Sequence, residues 1–276
     1  MDSLATELRL MIVKEAKANG SLKTLRCTNR SVRLLVDPLL FACIKLDTAT
    51  EEQLAKGFQM LESLSDEHSH ISQHVQRLVV CCQDRMFEPI SYPYGSHRRN
   101  EEGEAIREEK AQKAQEDLNE HLRVAIPYLR NLSSVQVVTN WYALYPSALW
   151  SSLETSGIQL QEVSVQGKLE NPFLKYLDSF SGLTALRIKN AFANTDEETD
   201  SLAAYFFGHI LPKHAESLEK LTVTGSEEGF WSYGVHNAQK FERCINLREA
   251  EFSFDLADIS DTNARENMLV SIFLDG

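Results

Sequence analysis

The chain has 276 residues, 43% apolar and 25% charged, with a net charge of −12, a balance that permits a substantial core and argues against a nucleic-acid binder. No run approaches the roughly 18 apolar residues of a membrane helix, and the first residues read as a folded helix instead of a charged-then-apolar leader; an intracellular protein is expected. Cys27, Cys43, Cys81, Cys82 and Cys244 form an odd set without two-residue spacers, which speaks for reduced thiols and against a disulfide framework or a zinc site.

The densest apolar spacing lies at the start. Leu4, Leu8, Met11, Ile12 and Ala16 share one face of a 3.6-residue repeat, predicting a helix that Ser3 or Thr6 caps and Asn19-Gly20 stops. Ser21 is placed to cap a second helix bearing Leu22 and Leu25. Asn29 is placed to cap a third, with Val32, Leu35 and Val36 on one side and Arg30 and Arg33 on the other. Asp37-Pro38 is expected to close it, because the residue before a proline is pushed out of the helical region. Three helices this short bury little among themselves, so an apolar surface should remain for a partner protein.

The run Leu4-Ala5-Thr6-Glu7-Leu8, then Met11-Ile12, Ser21 to Arg26, Asn29-Arg30 and Asp37-Pro38-Leu39-Leu40-Phe41 resembles the F-box in its fungal form, over about 45 of the 276 residues. The resemblance implies an adaptor. F-box proteins dock on Skp1 and so join a cullin-type ubiquitin ligase, while the rest of the chain holds a protein substrate. By that analogy Leu4, Leu8, Ile12, Leu22, Leu25 and Leu39 meet Skp1. The rival reading is a repeat-built interaction scaffold without a ubiquitin role, in which these leucines are the inner faces of an N-terminal cap. Charge bears on the choice: residues 1–46 hold eight basic and four acidic side chains, a net of +4, which leaves −16 for residues 47–276. A basic head suits docking to an acidic protein.

From Phe41 onward short pieces recur in which an apolar residue is followed three and five positions later by two more. They are Phe41, Ile44, Leu46; Val75, Leu78, Val80; Leu132, Val135, Val137; Leu160, Val163, Val165; Leu183, Leu186, Ile188; Leu218, Leu221, Val223; and Leu247, Ala250, Phe252. Period-two alternation rich in β-branched residues predicts half-buried strands. Their starts lie 34, 57, 28, 23, 35 and 29 residues apart. Helix-length segments fall between them, at 51–64, 101–129, 145–155, 172–180, 196–211 and 233–244, and this alternation predicts an α/β fold with a parallel sheet. Such a unit looks like a leucine-rich repeat, made irregular here by the near absence of the asparagine that usually follows the strand, with Asn190 one residue early and Gly167 or Gly225 in the neighbouring place. F-box heads followed by leucine-rich repeats are a familiar pairing. The expected organisation is therefore a three-helix F-box over 1–46 and an irregular leucine-rich-repeat solenoid over 47–276. A charged helical insertion is expected around 98–120, where acidic and basic residues alternate at helical spacing.

Few residues offer chemistry. His68, His70 and His74 are the best metal candidates, but no carboxylate or cysteine completes a zinc-like spacing. There is no glycine-rich phosphate loop, nucleophile elbow or matched acid pair, so no catalytic residue, metal or cofactor is assigned. Trp141, Tyr142 and Trp150 follow one predicted strand and Phe230 and Trp231 another, on loops that would share a rim; they are either substrate contacts or core. A last helix is expected over 263–271 and a strand at Ile272-Phe273-Leu274.

Overall fold

The computed structural model describes residues 6–66, 69–82, 101–140, 144–226 and 229–254, so Leu4, Trp141, Tyr142, His68 and the elements expected over 263–274 lie outside the described residues. The chain opens with α1 (Thr6–Ala18), α2 (Leu22–Arg26) and α3 (Arg30–Leu40). Gly20 takes a φ of 75° after α1, a left-handed turn that glycine adopts without steric cost. The Asn29 side chain caps α3 by accepting from the Val32 amide at 2.9 Å. Ser21 makes no such cap, and its hydroxyl turns back to the Asn19 side chain. Pro38 does not end α3, which runs two residues past it to Leu40. In the last turn the proline removes a single bond, and the Asp37 carbonyl, left near the helix end, accepts from the Phe41 amide at 3.0 Å.

Every triplet then marks a strand: β1 (Cys43–Asp47), β2 (Arg77–Cys82), β3 (Ser134–Thr139), β4 (Glu162–Lys168), β5 (Ala185–Phe192), β6 (Lys220–Gly225) and β7 (Glu249–Phe252). They form one all-parallel sheet in chain order. The register joins the second members of the triplets, Ile44 through Leu78, Val135, Val163, Leu186 and Leu221 to Ala250, into one row across the sheet. The third members form the next row, and from β1 to β6 both rows are buried.

Against these rows pack the apolar faces of the crossover helices α4 (Glu51–Ser65), α5 (Glu101–Ala125), α6 (Ser147–Thr155), α7 (Asn171–Asp178) and α8 (Asp196–Tyr205). The charged segment around 98–120 is helical from Glu101 onward, as part of α5. Leu118, Leu122 and Ala125 of α5 are at most 2% exposed and enter the common core, because α5 is the crossover between β2 and β3. It also holds α6. Gln115 brackets the Tyr145 backbone, and Asn119 Oδ1 accepts from the Ala148 amide at 3.0 Å, satisfying a donor that α6's own residues leave open.

Two predicted helices change character. The segment 196–211 continues from α8 through a π-helical turn, Phe206–Ile210, into α9 (Leu211–His214), where Pro212 has no amide to donate to the preceding turn. Over 233–244 only a 3₁₀ stretch forms, Ala238–Arg243. The Asn237 side chain there bonds the Ser232 carbonyl and the Gly234 amide, replacing helical bonds with a turn. Among the described residues no helix is long and apolar enough to cross a membrane.

Two strand ends carry bulges where the backbone turns left-handed, at Gly167 with φ 100° and Asn190 with φ 51°. A Cβ on Gly167 would lie 2.2 Å from the Thr139 carbonyl oxygen, so both the conformation and the approach of β3 demand glycine. Gly167→Ala should lower unfolding free energy by about 2–4 kcal/mol, read as a shift in the urea midpoint.

His214, 1% exposed, ties two units together. Its Nε2 donates to the Leu177 carbonyl at 2.9 Å and its Nδ1 accepts from the Leu183 amide at 3.3 Å, the pattern of a neutral ring. Burial holds its pKa below the ordinary imidazole value. The unfolded chain therefore binds this proton first, and the stabilisation, present above about pH 6.5, is lost as pH falls below it. The urea midpoint should fall between pH 7 and pH 5.5, and His214→Gln should flatten that slope while lowering the midpoint at pH 7.

Candidate functional site

Among the described residues two surfaces are left uncovered by the packing. One is the outer side of the helical head. Val13 and Ala16 of α1 turn inward onto Leu22, Val32 and Val36, forming a small core separate from that of the sheet. On the adjoining face of α1, Leu8, Met11 and Ile12 are 48%, 64% and 37% exposed, and Leu39 at the end of α3 is 36% exposed. Ile12 and Leu25, the latter half-buried, line one shallow groove between α1 and α2. Leu22 is a correction to the expected contact set: it is buried among the head's own helices, because α2 is barely more than one turn and its inward leucine closes the small core.

The basic groups divide in the same way. Lys14, Lys17, Lys23 and Arg30 are exposed. Arg26 and Arg33 instead clamp the buried Asp37, with Nε to carboxylate distances of 2.5 and 3.3 Å. Arg26 also lies over the Phe41 ring, 5.0 Å from its centre, which links α2 to the chain entering β1. The head is therefore braced from within while its outer leucines stay in water.

The other surface is the second face of the sheet. Parallel sheets are ordinarily covered on both faces, but here the outward residues are exposed or half-buried apart from Val138 and Thr222. Polar side chains line it in rows. Arg77 donates to Gln136 Oε1 at 2.9 Å and Ser134 to Glu162 at 3.4 Å. Lys220 pairs with Glu249 at 2.7 Å and Lys189 with Glu251 at 2.8 Å, and these ammonium partners hold both carboxyls below the ordinary glutamate range. Sequence reasoning passed over this face by following the apolar positions. Its signal was nevertheless present two and four places after each triplet begins, as in Arg77, Arg187, Lys220, Glu249 and Glu251.

The aromatic residues separate cleanly by burial. Trp150 is fully enclosed, its ring 4.8 Å from Phe173 and 5.8 Å from Tyr176, and Trp231 is 2% exposed against Phe206 with its Nε1 donating to the Thr199 carbonyl at 3.0 Å. Both are core, which corrects their reading as substrate contacts: a large ring beside a crossover helix gains more from filling the layer than from facing solvent. Phe230 alone of the three is open, 48% exposed and edge-on to His236. His70 and His74 lie at the surface of the segment before β2; among the described residues no three His, Cys, Asp or Glu side chains converge on one point.

Trp150→Ala should cost about 3–5 kcal/mol in urea unfolding, whereas Phe230→Ala should stay within about 0.5 kcal/mol. No family model, no curated protein and no solved structure matches this chain.

Proposed function

We propose that the protein is a substrate-recruiting adaptor of a Skp1-cullin-F-box ubiquitin ligase, acting in the cytoplasm or nucleus and non-catalytic itself. In this reading the head is an F-box that docks on Skp1, and the body is an irregular leucine-rich-repeat solenoid that holds a protein substrate. The observation that carries it is the outward row of Leu8, Met11 and Ile12 on a head with its own closed core. An N-terminal cap would turn those side chains onto the body, where each would contribute about 1.5–3 kcal/mol by full burial. A cluster of apolar side chains left in water is the arrangement expected where another polypeptide covers it.

Two further features support the reading. The net +4 on residues 1–46 against −16 on the remainder favours an acidic partner approaching from the head side. The common register of seven strand triplets fits a body built from repeats that meet only their neighbours, with one sheet face free for a second protein.

The test is co-purification with a fungal Skp1 by size exclusion. The wild-type chain should co-elute as one complex. Leu8→Asp combined with Ile12→Asp should abolish co-elution while changing stability by no more than about 0.5 kcal/mol per site, as exposed positions do. If the wild-type chain elutes alone, or if the double variant loses stability and keeps its associations, the head is a cap and the scaffold reading replaces this one.

A further inference from the structure

We infer that the bare sheet face receives an extended peptide segment bearing carboxylate side chains, one of which seats on Arg187. The inference rests on the reading of that face as the substrate surface, and it names the chemistry the surface selects. Arg187 stands on β5 in a row with Ser164 of β4 and Thr222 of β6 beside it. It lines two adjoining depressions, one shared with Lys189 and Lys220 and the other with Arg77 and Gln136.

The charges in these depressions are not equally committed. Lys189 and Lys220 are held by Glu251 and Glu249, and Arg77 donates to the neutral amide of Gln136. Among the described residues Arg187 makes no hydrogen bond or ion pair, although its charge helps keep Glu249 and Glu251 ionised from a distance. A guanidinium whose fork of donors faces solvent matches a carboxylate in two parallel bonds, a geometry that an ammonium cannot offer. Arg77 supplies a second guanidinium three strands away, about 15 Å across the sheet at the usual strand spacing. An extended hexapeptide, about 20 Å long, spans both.

Long-range charge narrows the choice of occupant. Residues 47–276 carry a net −16, so an acidic segment is repelled by most of the body, whereas the two depressions hold four cations, Arg77, Arg187, Lys189 and Lys220, against three carboxylates, Glu162, Glu249 and Glu251. A basic segment has many acidic places to go and no reason to prefer this one.

The test uses the full chain and fluorescein-labelled hexaglutamate, hexalysine and a neutral Gly-Ser hexapeptide, followed by fluorescence polarisation at low and at physiological salt. Hexaglutamate should bind saturably and more tightly than either comparison peptide, and more weakly as salt rises. Arg187→Ala should weaken it by about threefold or more, and Arg187→Glu by about tenfold or more, through loss of a charge-assisted pair. Lys175→Ala, on the exposed side of the helix layer, should leave it unchanged. Equal or tighter binding of hexalysine, wild-type affinity in Arg187→Glu with unchanged melting, or no saturable binding of hexaglutamate would each overturn the inference. Loss of peptide binding with Skp1 co-elution intact removes only this inference. Loss of co-elution with peptide binding intact removes only the adaptor reading.

Discussion

The lateral stacking of apolar residues from one strand to the next is the constraint on which this molecule depends. A strand of four to eight residues cannot bury a face alone, and each crossover helix has one apolar side to hide. Placing Leu78 beside Val135, Val163, Leu186 and Leu221 in one unbroken row lets each unit hide its apolar face against its neighbours. The helix layer then closes one side of the sheet. His214 and Asn119 add polar bridges between successive units, His214 satisfying backbone of the unit before it and Asn119 of the unit after it.

That constraint also explains which features were legible in the sequence. A strand with one buried face must alternate, and the spacing of three and five after each leading apolar residue located all seven strands, with Ala250 and Phe252 of the last one less enclosed at the sheet edge. The crossover helices are expected from the helix-length segments that separate the strands. The errors arose where a single residue outweighs its pattern. Asn237 drew the segment before β7 into turns, Pro212 and a π-helical turn divided a helix, and Pro38 fell late enough in α3 to be absorbed. The alternating charges of α5 concealed Leu118 and Leu122, which show their role only once β2 and β3 are known to be neighbours.

The candidate surfaces were unequally visible. The outward leucines of α1 stand in the sequence as a stripe, but a stripe does not say which way it faces. Val13, outside that stripe, and Ala16, its last member, are the residues that point inward. Trp150 and Trp231 misled for the opposite reason, since large aromatic rings serve interfaces and interiors equally well and the position after a strand does not separate the two. The polar sheet face was written in the alternate positions of every strand, yet it acquires meaning only from the register that sets Arg187 among its neighbours.

Because each strand of the sheet pairs solely with those before and after it in the chain, every strand pairing joins neighbouring units. Such an arrangement has no closing contact between first and last units, so it can nucleate at any interior pair and lengthen in both directions. It also yields gradually. Among the described residues β7 is the outermost strand at one end of the sheet, with three of its four residues open to water, and is expected to loosen before the enclosed strands do.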